Sequence, residues 1–80
     1  IKRILVVDDE VTILDVLKEH LNSCGYQVVT CLSGDQAQAL LKAEAFDLVL
    51  TDVKMNGLNG LELCDRIVSN FPHLPVLVMT

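Results

Sequence analysis

Basic residues are scarce in this chain. Six Lys and Arg face eleven Asp and Glu, giving a net charge of −5 over 80 residues. Nucleic-acid phosphates are gripped by clustered Lys and Arg, so no direct nucleic-acid contact is expected from this segment. Aromatics are also few, at 4%, but hydrophobic residues reach 51%, too rich in Ile, Leu and Val for a disordered tail. No apolar run approaches the ~20 residues of a membrane span. Nothing at the start reads as a signal peptide. The length allows one core at most. Cys24, Cys31 and Cys64 form no C-x-x-C pair, and with two distant histidines they suggest no zinc site. An odd cysteine count fits a reducing, cytoplasmic compartment better than a disulfide framework. All three cysteines read as small buried or half-buried hydrophobes.

What is present is a regular alternation. Ile4 to Val7 is an aliphatic run followed by Asp8, Asp9 and Glu10. A run apolar on both faces is the mark of a central parallel strand. Acids suit the start of a helix, so one is expected to begin near Glu10. From Val11 to Cys24, Ile13, Leu14, Val16, Leu17, Leu21 and Cys24 fall on an arc about 160° wide, broader than the ~100° stripe of a surface helix. More than one packing partner is expected for it, with His20 packed inside the arc. Gly25 is the expected C′ residue.

Tyr26 to Leu32 is a mixed strand that suits an edge. Ser33 is the expected N-cap of a helix from Gly34 to Glu44. Phe46 to Asp52 is a third strand ending in an acid. A loop follows over Val53 to Leu58, with the turn pair Asn56-Gly57. Asn59 and Glu62 resemble a capping pair for a helix over Gly60 to Asn70. Val76 to Thr80 is a fourth strand after a proline-bounded loop holding a solvated His73.

Alternating strands and helices predict an α/β doubly wound parallel sheet with right-handed crossovers. The order 2-1-3-4 keeps the mixed strand at an edge. One helix then lies on one face and two on the other. Strand 4 is apolar on both faces yet lies at the opposite edge, which invites aggregation unless covered. That edge and the wide helix arc point to a further strand and helix, and so to a fragment of a larger domain. A dimer through the edge is the alternative.

Asp8 and Asp9 end strand 1, and Asp52 ends strand 3 beside it, at the switch point where open α/β sheets bind ligands. Three converging carboxylates repel one another unless a cation sits between them. Hard oxygen ligands with room for water suit Mg²⁺. A carboxylate beside Mg²⁺ is a workable phosphoacceptor. Glu10 alone reads as a solubilising or capping acid. Asp47 lies at the opposite end of its strand and is excluded. Thr80 ends strand 4 at the same sheet edge as the acids, within reach of a phosphoryl oxygen. The backbone carbonyl of Lys54 could reach a metal held by Asp52.

Ile4-Leu5-Val6-Val7-Asp8-Asp9-Glu10, Asp52-Val53-Lys54-Met55 with Gly57 and Gly60, and Pro75 to Thr80 together resemble the receiver domain of two-component response regulators. The resemblance covers the whole chain. It implies a flavodoxin-like fold of about 120 residues, within ordinary domain size, whose fifth strand and last two helices are missing here. It implies that Asp52 accepts a phosphoryl group from a histidine kinase. Asp9 would bind Mg²⁺ directly, Asp8 largely through water, and the Lys54 carbonyl would complete the protein ligands. Thr80 looks like the switch hydroxyl. The partners implied are a sensor histidine kinase and an output domain, and the Ser33-Gly34 turn and Val78-Met79-Thr80 ending look like receivers of transcriptional activators. Asn56 stands where the family usually has Pro, and the family's phosphate-binding Lys lies on the missing fifth strand. Two other readings compete. Asp8 to Thr12 weakly mimics the D-x-D-x-T of haloacid-dehalogenase phosphohydrolases, with Asp8 as nucleophile. A phosphorylation-independent interaction module is the third.

Overall fold

In the computed structural model, residues 2–52 and 60–79 are described, without the side chains of 60 and 61. The elements are β1 (Arg3–Val7), α1 (Val11–Ser23), β2 (Gln27–Cys31), α2 (Gly34–Ala43), β3 (Leu48–Asp52), α3 (Gly60–Asn70) and β4 (Val76–Met79). The strands form one parallel sheet in the order β2-β1-β3-β4. Both the alternation and the order agree with the reading of the sequence.

Strand alternation divides the apolar side chains between two faces. Leu5, Val7 and Val49 pack with Ala37 and Leu41 of α2 and Leu63 and Ile67 of α3. Ile4 and Val6 pack with Leu14 of α1, and Leu17, Leu21, Leu48 and Leu50 border that cluster. One helix therefore covers one face and two cover the other. Each fully buried aliphatic side chain contributes roughly 1.5–3 kcal/mol relative to exposure.

The helix ends are set by local chemistry. The Ser33 hydroxyl accepts from the Gln36 N–H at 3.2 Å, and the Gln36 side chain accepts in turn from the Leu32 N–H at 2.9 Å. This is close to a capping box, shifted by one residue at its return bond. α1 ends in a Schellman arrangement: Tyr26 N–H donates to Leu21 O and Gly25 N–H to Asn22 O. Gly25 sits at φ 95°, where a side chain would be strained.

The α1 arc is only partly covered. Leu14 is buried and Leu17 and Leu21 are half-buried, but Ile13 and Val16 are exposed, Val16 at 62%. His20 and Cys24 are exposed too. The expectation that they are packed is corrected: both lie where the described residues bring no partner to the helix. Cys31 is buried and Cys64 half-buried, as expected. Burial pushes the Cys31 thiol up to about 11, so it stays protonated and unreactive near neutrality. At the β4 edge Leu77 is 55% exposed. Among the described residues no helix is long and apolar enough to cross a membrane.

Candidate metal and phosphoacceptor site

Parallel pairing fixes the relative height of the strand ends. Val7 pairs with Thr51 across β1 and β3, so Asp8 and Asp52, one residue further on, emerge side by side. Asp9 follows in the turn into α1. Carboxylate oxygens of Asp8, Asp9 and Asp52 all lie within 4.8 Å of one another. The sequence singled out these three acids, and the fold brings them together.

Their environments differ. Asp8 is only 2% exposed, Asp52 is half-buried and Asp9 is exposed. The Asp8 backbone is tied to β2 by its N–H, which donates to Cys31 O at 3.2 Å. Its carboxylate accepts from the Glu10 N–H at 3.0 Å, closing an Asx turn that leads into α1. Burial pushes the Asp8 carboxyl above its usual range. The Glu10 N–H opposes that shift, and the negative charges of Asp52 and Asp9 add to it. Glu10 occupies the N-cap position of α1 without a side-chain cap bond, and no acid lies in the first turn. The helix start therefore rests on Asp8 rather than on a run of acids.

The donor set fits a hard divalent cation. Three carboxylates of mixed burial leave open positions for water, as Mg²⁺ prefers, and lack the soft ligands of zinc or copper sites. A cation here would also relieve the repulsion that burdens Asp8.

Lys54 and Thr80, the other predicted site residues, lie outside the described residues, as do Asn59 and the loop expected over Val53 to Leu58. Asp47 is at the far end of β3, where its carboxylate accepts from the Arg3 N–H at 2.8 Å. Its exclusion from the site agrees with that role. His73 is exposed in the α3–β4 connection, as expected. One site-adjacent residue escaped the sequence reading. Thr51 is fully buried next to Asp52. Its only signal was its place on the core-facing side of the alternation, two residues after Val49.

Comparison with known proteins agrees with this geometry. Residues 4–80 match the family model "Response regulator receiver domain". The chain is 37% identical over 79 residues to the alkaline phosphatase synthesis transcriptional regulatory protein PhoP of Bacillus subtilis, covering 99% of this chain and 33% of that protein. It is 40% identical over 77 residues to the transcriptional regulatory protein ZraR of Salmonella typhimurium, covering 96% of this chain and 18% of that one. The chain thus spans a third or less of these curated relatives. Among solved structures it superposes on the response regulator TrrA of Thermotoga maritima in complex with Mg²⁺-BeF, with a TM-score of 0.95 and 37% identity over 98% of this chain and 68% of that one. TrrA in complex with the histidine kinase ThkA matches with a TM-score of 0.95 and 38% identity, covering 100% of this chain and 69% of that one.

Proposed function

Because this chain belongs to the response regulator receiver domain family, we propose that Asp52 is its phosphoacceptor and that Asp8, Asp9 and Asp52 hold Mg²⁺. The observation that carries this reading is the convergence of the three carboxylates at the carboxyl ends of β1 and β3. Membership in the family removes the ground for a haloacid-dehalogenase reading. Asp8, almost wholly buried and bonded to the Glu10 N–H, is also poorly placed as a nucleophile.

Asp52 is the acid open enough to meet a donor and anchored enough to be aimed. One of its carboxylate oxygens attacks phosphorus of a phosphohistidine on the kinase. A P–O bond forms and the P–N bond breaks. The electron pair returns to the imidazole nitrogen, which takes up a proton. Bound Mg²⁺ would neutralise charge on the phosphoryl oxygens during that transfer. Asp9 would hold the cation directly, and Asp8 would act largely through water. The Lys54 carbonyl would complete the protein ligands. The Thr80 hydroxyl turns toward the phosphoryl group and relays its arrival to an output domain. A histidine kinase as partner is supported by the TrrA–ThkA complex, and a transcriptional output by the names of PhoP and ZraR. The setting is cytoplasmic, and the protein transfers no group to a separate substrate. The chain is the β1-to-β4 part of a receiver domain, a reading supported by exposed Val16 and Leu77 and by its 68% coverage of TrrA.

The test uses the full-length parent protein with Mg²⁺ and acetyl phosphate, read by intact mass. One added phosphoryl group is expected, and none on Asp52→Asn. An adduct that survives the substitution refutes the assignment of Asp52.

A further inference from the structure

Among the described residues, two polar side chains belong to the buried set, Asp8 and Thr51. The first is accounted for by the acidic cluster. The second stands where an aliphatic side chain would be expected. Thr51 pairs with Val7 on β1 and with Val78 on β4, and Val49 precedes it on the same face. Valine has nearly the same shape and would bury no hydroxyl. Burying a hydroxyl is unfavourable unless it is hydrogen-bonded, so its presence calls for a partner that matters.

One such partner is the backbone of the next residue. The Thr51 hydroxyl donates to the Asp52 carbonyl oxygen at 3.2 Å. Asp52 is also where the sheet begins to release the chain. The β1–β3 ladder stops at Val7–Thr51, while the β3–β4 ladder extends one step further, to Asp52–Met79. The hydroxyl therefore adds a hold on the Asp52 peptide at the point where the β1–β3 ladder ends.

We infer that Thr51 is a positioning residue for phosphoryl transfer: its buried hydroxyl fixes the Asp52 peptide and so the aim of the Asp52 carboxylate. The inference rests on Asp52 being the phosphoacceptor. The hydroxyl acts by narrowing the orientations from which the carboxylate oxygen can attack in line.

The experiment compares the full-length parent with Thr51→Val and Thr51→Ser. Three quantities are read: melting temperature, Mg²⁺ affinity, and the rate of adduct formation with acetyl phosphate at saturating Mg²⁺. Thr51→Val is expected to form adduct about three- to tenfold more slowly, the effect of one lost hydrogen bond, with Mg²⁺ affinity within about twofold of the parent, even if the Asp52 carbonyl left without this donor lowers its melting temperature. Thr51→Ser keeps the hydroxyl and is expected within about twofold of the parent rate, even if lost packing lowers its melting temperature. A Thr51→Val variant that reacts at the parent rate overturns the inference while the parent adduct leaves Asp52 in place. So does a Thr51→Ser variant as slow as Thr51→Val. A Mg²⁺ affinity lowered in Thr51→Val by as much as the rate shows a loosened metal site instead of a misaimed carboxylate and also overturns it. Absence of adduct on the parent itself strikes the phosphoacceptor reading first and this inference with it.

Discussion

The two ends of the sheet treat acidic residues in opposite ways. At the amino end, Arg3 gathers them. Its guanidinium pairs with Glu44, donates to Ala45 O at 2.8 Å and lies 4.8 Å from the centre of the Phe46 ring. Its backbone exchanges bonds with Asp47, N–H to carboxylate and carbonyl to N–H, both at 2.8 Å. At the carboxyl end, three acids are set against one another within 4.8 Å, and burial with like charge raises Asp8. The first arrangement is satisfied by the fold alone. The second would be relieved further by a cation. Paired charge at one end holds the α2–β3 connection to the sheet, and clustered acids at the other could hold a metal ion.

Removing Arg3 gives the largest expected effect on this contrast. Arg3→Ala loses a partly exposed ion pair, a bond to a carbonyl and an aromatic contact. A destabilisation of about 1–2 kcal/mol is expected from these terms together, because the pair is open to solvent and contributes little alone. Urea unfolding of the full-length protein measures it. Arg3→Lys should recover only part, since an ammonium cannot reach the Glu44 and Ala45 oxygens with one planar fork. An unchanged midpoint in Arg3→Ala would mean that the amino end is no better satisfied than the carboxyl end.

The next effect is one of pH. The Asp8 carboxyl titrates above its unfolded value, so between the two values the native state holds more protons than the unfolded chain. Its favourable contribution is complete below the unfolded value. It is lost as pH rises through the raised, folded value. In EDTA, stability should therefore carry a component that falls with rising pH across that window, and Asp8→Asn should remove it. Mg²⁺ affinity should run the other way and rise with pH across the same window, because the metal competes with a proton for Asp8. Stability curves for Asp8→Asn and the parent with the same slope would show that burial of Asp8 carries no titration.

Much of this was legible in the chain. Strand 1 and α3 show why: a continuous aliphatic run and a clear apolar face between Gly60 and Asn70 leave little choice, and α3 has the expected bounds. The acids at the ends of β1 and β3 followed from strand order alone. Apart from exposed His20 and Cys24, the differences fall where a residue serves a neighbour instead of its own strand. Tyr26 was read as strand but gives its N–H to the α1 cap. Leu32 was read as strand but donates to Gln36. Phe46 and Asp47 were read as strand but belong to the Arg3 cluster, 41 or more residues from their partner. Pairing at that distance leaves no local pattern. Nor does periodicity distinguish buried Asp8 from exposed Asp9, because the difference arises from the turn into α1.

The smallest expected effect is a difference of sign. Asp9→Asn removes a negative charge from a group of three, so in EDTA and low salt the melting temperature should rise slightly. Glu44→Gln removes a negative charge that has found a guanidinium, so the same measurement should fall slightly. Both side chains are exposed, and each change should shrink as ionic strength approaches 1 M, where screening acts within about 3 Å. With saturating Mg²⁺ the Asp9 result should invert: the parent gains stability by binding, and the variant, short of a ligand, gains less. Glu44→Gln keeps the three carboxylates, so its difference from the parent should be the same with and without Mg²⁺. If Asp9→Asn lowered the melting temperature in EDTA, the three carboxylates would already be compensated within the fold. The cluster would then need no cation, and the two ends of the sheet would differ in position only.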